Sequence, residues 1–284
     1  MVDVAVRRAR SDDVAAAHAI LAAWQEAVFG QAEMTAGMVA NADAIADASY
    51  VAEGEDGIAG HASVRAESVN VLVAPSARRR GIGTALLRAA EAAAGADVLR
   101  MIGVTLEPAA APFARVNGYE KASEVWLMGV DVADVAGDPA WPDGVSVRTF
   151  RDEDAPALKE LLDLAYAEED EEQLPYEDWR TFMLGDPSFD PEAWFLAVDG
   201  DRLVGAALNW DDGFVKDLVV HPGWRGRGLG AALMRRTFAE FAHRGIPRVT
   251  LKTDTVNPTQ AWRLYERLGM RTERTYEVFE KRRR

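Results

Sequence analysis

The chain of 284 residues contains no cysteine. That excludes disulfides, thiolate metal sites and a cysteine nucleophile together. It also has no apolar run of the length that crosses a bilayer. The segment from Met1 to Arg8 lacks the long apolar stretch of a secretory signal. A cytoplasmic protein with no membrane contact is therefore expected. Histidine is scarce, and His18, His61, His221 and His243 stand without metal-ligand spacing, so no metal is expected. Positive charge is not in excess either: 46 acidic residues against 32 basic ones give a formal charge of −14. A phosphate backbone wants a basic face, so no nucleic-acid partner is expected.

What is present is the composition of a soluble globular protein, 49% hydrophobic and 27% charged. The length leaves room for two ordinary domains, each burying its own core. The chain also repeats itself. Val71, Leu72 and Val73 lead through Pro75 into Arg78, Arg79, Arg80, Gly81, Ile82, Gly83 and Thr84. Leu218, Val219 and Val220 lead through Pro222 into Arg225, Gly226, Arg227, Gly228, Leu229, Gly230 and Ala231. The offset is constant (225 − 78 = 147 and 230 − 83 = 147). Each copy reads as an apolar strand, a loop of arginine and glycine, and an amphipathic helix. Such a junction presents unpaired backbone N–H groups to an anion.

The repeat extends beyond these loops. Arg7, Arg10 and Asp13 match Arg148, Arg151 and Asp154 (148 − 7 = 141), and Gly60 matches Gly205 (205 − 60 = 145). Two modules of this period are tandem domains rather than a solenoid. The Pro-, Gly- and Asp-rich stretch 131–144 reads as the linker between domains 1–130 and 145–284. Helices are expected over 14–28 and 155–168. Strands are expected over 194–198 and 203–208, joined at Asp199, Gly200 and Asp201, and again over 214–220, 248–253 and 275–280. Leu229, Leu233, Phe238 and Phe241 mark a helix closed by Gly245, and 261–269 a short helix with a glycine stop. The fold class is α/β with a mixed sheet in each module.

Arg225, Gly228 and Gly230 after an apolar strand, then Asn257, then Leu264, Tyr265, Gly269 and Met270, resemble the GNAT superfamily of N-acetyltransferases. The first module resembles it through Arg78, Gly81 and Gly83, then Asn117, Gly118 and Tyr119. The loop lacks the G-x-G-x-x-G spacing of a dinucleotide fold, and no Gly-Lys-Ser/Thr follows it. The tandem layout is further similar to mycothiol synthase and its relatives, a match of layout rather than of substrate-reading residues.

The resemblance implies acetyl-CoA as donor and direct attack by an amine, without an acyl-enzyme. It assigns the pyrophosphate to backbone N–H groups from Arg225 to Ala231. Main-chain N–H groups around Leu218, Val219 and Val220 would stabilise charge on the carbonyl oxygen. Tyr265 matches the family's usual general acid, which protonates the departing sulfur. Asn257 either bonds the pantetheine or caps a helix starting at Pro258, and Asn before Pro is a strong helix-start signal. An alkyl ammonium of pKa about 10.4 must lose a proton before it attacks. Asp217 is the candidate base, or else a strand-end carboxylate paired with Lys216, which stands where relatives more often carry glutamate. The acidic run Glu168 to Glu172 either attracts a cationic acceptor or is a solvated face.

The first module keeps the loop as a possible second CoA site, built from Val71 to Val73 and Arg78 to Thr84. The offsets carry Asp217 to Asn70 (217 − 147 = 70), Tyr265 to Ala114 (265 − 151 = 114) and Asn257 to Leu106 (257 − 151 = 106). It is therefore expected to be catalytically degenerate. The expected activity is N-acetylation of a small-molecule primary amine, centred in 145–284, by a monomer or homodimer. One alternative is mycothiol synthase-like acetylation of an amino-thiol sugar conjugate. Others are a transferase of longer acyl groups and, from another class, a non-catalytic CoA-ester-binding regulator or scaffold.

Overall fold

A computed structural model describes residues 5–55, 57–135, 137–167 and 173–283. The acidic run Glu168 to Glu172 lies outside the described residues. The first half runs β1 (Ala5–Arg8), α1 (Val14–Phe29), α2 (Ala36–Ala44), β2 (Ala48–Gly54), β3 (Gly57–Arg65), β4 (Ser68–Val73), α3 (Ile82–Ala93), β5 (Val98–Val104), α4 (Ala110–Val116) and β6 (Glu120–Asp131). The second runs β7 (Val145–Thr149), α5 (Ala155–Tyr166), α6 (Tyr176–Leu184), β8 (Phe195–Asp199), β9 (Arg202–Asn209), β10 (Phe214–Val220), α7 (Leu229–His243), β11 (Arg248–Asp254), α8 (Trp262–Arg267) and β12 (Arg271–Arg282).

The repeated arginine and aspartate at the start of each half now have a physical role. Arg7 closes a bidentate clamp on Asp13 at 2.6 and 2.9 Å, and Arg148 does the same to Asp154 at 2.6 Å twice. Each carboxylate also accepts a backbone N–H three residues back, from Arg10 or Arg151, at 2.8 Å. The clamp fixes the turn that launches the first helix of each half. The Arg7 guanidinium holds Asp13 down at a pKa of about 2, and Arg148 likewise holds Asp154 below the usual carboxylate range.

The chain forms two compact units, Met1–Ser123 with Tyr276–Arg284, and Glu124–Thr275. These differ from the sequence division at 131–144 in their last strands. Strand β6 pairs antiparallel with β11 of the second unit, from Val125 opposite Asp254 to Asp131 opposite Arg248. Strand β12 pairs antiparallel with β5 of the first, from Tyr276 opposite Val104 to Arg282 opposite Val98. The two halves exchange their last strands. The period-two pattern of a strand says which face is buried but not which edge it joins, so the exchange leaves no trace in the sequence.

The first unit orders its strands β1-β2-β3-β4-β5-β12, and the second β6-β11-β10-β9-β8-β7. In the second unit, Val219 and Ala206 pack with α5 and α6, while Leu218, Val220 and Val204 pack with Leu229 and Leu233 of α7. Helix α7 buries Leu229, Leu233, Phe238 and Phe241 on one face, as its apolar spacing requires. Gly60 and Gly205 explain their own repetition. A Cβ on Gly60 would come within 2.8 Å of both the Leu72 carbonyl oxygen and Leu86, and one on Gly205 within 3.1 Å of Leu229 and 3.2 Å of Leu233. Both let the helix after the loop close onto the sheet.

Candidate active site

Strand β10 is where the second unit departs from regular structure. It pairs in parallel with β11 at Phe214–Thr250 and Val215–Leu251, and the ladder goes no further. Its antiparallel ladder with β9 slips at Lys216, between the Val215–Asn209 and Asp217–Leu208 pairs. A bulge of this kind re-aims the side chains that follow it. Asp217 consequently meets helix α5: Tyr166 Oη donates to Asp217 Oδ1 at 2.8 Å, and Lys216 Nζ lies 3.4 Å from Oδ2. The carboxylate is mostly covered, with 11% of its side chain exposed.

The strand ends at Val220, and beyond His221 the chain turns through Gly226 (φ +76°) and Gly228 (φ +85°), both left-handed. The first intrahelical bond of α7 runs from Ala232 N–H to the Gly228 carbonyl at 3.0 Å. The N–H groups of Leu229, Gly230 and Ala231 thus open the helix with no intrahelical acceptor. A Cβ on Gly230 would lie 3.2 Å from Leu264 and 3.7 Å from Val220, so only glycine leaves that side of the cradle clear. Arg225 donates to the Ala165 carbonyl at 3.0 Å, and Arg227 stacks over Trp224 at 4.7 Å. His221 accepts Gly223 N–H on Nδ1 at 3.1 Å. Burial, and then the charges of Arg202 and Arg225, push His221 below its usual pKa, so neutral imidazole is favoured. Cradle, bulge and strand gap fit a phosphate-bearing thioester.

Tyr265 lies on α8, 7% exposed, within the cluster of Met128, Met234, Phe238 and Phe241. Met128 comes from β6, so the strand exchanged from the first half helps seat this helix. Asn257 does not cap α8, which begins at Trp262. Its Oδ1 instead accepts Thr259 N–H at 2.8 Å and Thr259 Oγ1–H at 2.5 Å, fixing the turn ahead of that helix. Tyr166 escaped the sequence reading. It lies 51 residues from Asp217, and no motif marks it.

The first unit repeats the cradle with different surroundings. Ala85 N–H bonds the Gly81 carbonyl at 3.0 Å, as Ala232 does Gly228. Gly81 has φ +86°, and Arg79 takes φ +62° where the second loop has Gly226. A Cβ on Gly83 would meet Phe113 at 3.2 Å. Strand β4, however, pairs with β3 without slippage from Ser68 to Val73, and Asn70 at the Asp217 position is exposed. The residue matching Asn257 is Glu107 (257 − 107 = 150) rather than Leu106. Both bond N–H to the carbonyl three residues back, accept N–H from three residues on, and bind the N–H two residues on with the side chain. Leu106 falls opposite Val256, both exposed apolar residues.

In each unit a mixed set of strands opens between two parallel neighbours beside a strand–loop–helix cradle, the arrangement of a protein that holds a phosphate-bearing ligand. Comparison with known proteins narrows the class. Residues 155–270 match the model of the acetyltransferase (GNAT) family, and 46–121 match an acetyltransferase (GNAT) domain. The mycothiol acetyltransferase of Geodermatophilus obscurus is 37% identical over 215 residues, covering 70% of this chain and 68% of that one. That of Catenulispora acidiphila is 34% identical over 227 residues, covering 74% and 71%. Among solved structures, a GCN5-related N-acetyltransferase from Sphaerobacter thermophilus matches with TM-score 0.76 and 26% identity over 99% of this chain and 96% of that one. A tandem GNAT protein from the clavulanic acid biosynthesis pathway shares the fold, with TM-score 0.74 and 19% identity over 98% of each chain. The chain belongs to the GNAT family and is an acetyl-CoA-dependent N-acetyltransferase with tandem domains. No helix among the described residues is long and apolar enough to cross a membrane.

Proposed function

We propose that the second half, residues 145–284, transfers the acetyl group of acetyl-CoA to a primary amine of a small molecule, by direct attack with both substrates bound. The observation that carries this reading is the bulge at Lys216, which sets Asp217 against Tyr166 on the strand that feeds the cradle. The backbone N–H groups of Leu229 to Ala231 hold the diphosphate, and Gly226, Gly228 and Gly230 allow its close approach. Acetyl-CoA supplies the activated acyl group and a thiolate leaving group. Beyond Val215 the edge of β10 facing β11 has no ladder partner there, and Leu218 and Val220 offer main-chain N–H groups to the acyl oxygen, whereas Val219, like His221, turns its N–H toward β9. Asp217 takes the proton of the incoming ammonium, directly or through water, with Tyr166 fixing its orientation. Tyr265 supplies a proton to the sulfur.

The acceptor reading with specific support is an amino-thiol sugar conjugate of the mycothiol type. Both relatives named above carry that activity in their names, and the matches run over about 70% of each chain. Turnover against a panel of primary amines, this conjugate included, tests both readings by mass detection of the acetylated product. The chain has no cysteine, so a thiol reagent reports CoA release from thiol-free acceptors with no protein background. Tyr265→Phe is expected to lower kcat by about 10²–10⁴-fold, the usual range for a general acid. Unchanged turnover in that variant removes Tyr265 from the mechanism, and no turnover of any amine removes the reading itself.

A further inference from the structure

The two cradles share a backbone, but the gap between their parallel strands is furnished differently. In the first unit, β4 and β5 are paired at Ser68–Arg100 and then separate. Arg78 spans the mouth of that gap. Its Nε donates to the carbonyl of Val73, the last residue of β4, at 3.4 Å, and its Nη2 pairs with Glu107 Oε2 at 3.1 Å, beyond the end of β5. Trp24 Nε1 donates to the same oxygen at 3.1 Å, and Ala109 N–H reaches Oε1 at 3.3 Å. Phe29 braces the Trp24 ring edge-on at 5.2 Å. The Glu107 carboxylate is 15% exposed.

Internal correspondence supplies the control. Glu107 matches Asn257, and Trp24 matches Ala165 (165 − 24 = 141), the residue whose carbonyl receives Arg225. Where the second unit has a neutral amide and a methyl group, the first has a carboxylate and an indole. We infer that the first unit's cofactor groove is filled by an anion of its own, Glu107, and that the chain holds one acetyl-CoA, in the second unit. This rests on the acetyl-CoA reading above. Glu107 neutralises the arginine that heads the loop, repels an arriving diphosphate, and with Trp24 occupies the passage a pantetheine arm needs. In a partly buried setting such a pair is weakly screened and resists displacement by a competing anion. The first cradle keeps its form as a closed relic of the repeat.

Coenzyme A itself, titrated into the full chain by calorimetry and native mass spectrometry, gives the count. Wild type is expected to bind one equivalent, and the double variant Glu107→Asn with Trp24→Ala, which copies the second unit's residues, two. Glu107→Gln combined with Trp24→Ala, which keeps the side-chain length at 107, provides the same count should the first double variant lose its cooperative melt. Two equivalents on wild type, or one on folded variants that retain full turnover, would overturn the inference. No binding by any of these proteins removes the acetyl-CoA reading, and the closed first groove with it.

Discussion

The two cradles of this chain differ in almost nothing that the backbone requires and in almost everything that chemistry requires. Both place a left-handed glycine at the helix start, both leave the first N–H groups of that helix without an intrahelical acceptor, and both close the helix onto the sheet over a glycine. The second adds a bulged strand, a carboxylate held by a tyrosine, and a buried phenol on the short helix beyond. The first has an unbroken strand, an exposed asparagine and a buried alanine at the same places. A duplicated loop thus shows where a phosphate can be held, whereas the side chains around it decide whether anything is done there.

The comparison can be broken most severely at Asp217. Asp217→Asn is expected to cost about 10²-fold in kcat or more. Tyr166→Phe should cost less in kcat, because it removes one hydrogen bond and leaves the carboxylate in place. A purely structural Asp217 would lower the melting temperature and leave kcat of the folded variant near wild type.

Smaller effects sharpen the same contrast. Arg79 occupies a left-handed backbone position that Gly226 fills in the other loop. Exchanging these residues should act in opposite directions: Gly226→Arg destabilises by about 1 kcal/mol and Arg79→Gly relieves a strain of similar size. Chemical denaturation measures both, and equal signs would contradict the backbone equivalence.

The smallest effect concerns pH. His221 has Ala74 as its counterpart (221 − 147 = 74). Because the fold favours neutral His221, its contribution to stability is present above the unfolded pKa of about 6.5 and lost as pH falls below it. His221→Ala should therefore flatten part of the acid-side fall in melting temperature, and an unaltered fall would contradict the assignment.

Much of this was legible in the sequence, for a physical reason. Left-handed turns and close helix–sheet approach admit few residues, so Gly81, Gly83, Gly228, Gly230, Gly60 and Gly205 announce themselves by spacing. The arginine–aspartate clamp is equally local, closing over six residues in each half. What stayed hidden depends on distance through the chain. Tyr166 meets Asp217 only after folding, and the exchange of β6 and β12 concerns strand edges rather than faces. The match of Asn257 to Leu106 was misplaced by one residue because an offset taken from Gly118 and Gly269 does not hold across the turn before α4 and α8. Hydrogen bonds at that turn reveal Glu107, whose charge changes the reading of the first cradle.

On the proposed function one loop serves catalysis and the other does not. Gly230→Val and Gly83→Val form a matched pair, since a Cβ at each meets a neighbouring side chain at the same 3.2 Å. Measured as kcat/KM for acetyl-CoA with a saturating acceptor, Gly230→Val should lose about 10²-fold or more through a misplaced cofactor, and Gly83→Val should stay near wild type. Equal losses in the two variants, or a larger loss in Gly83→Val, would contradict the account.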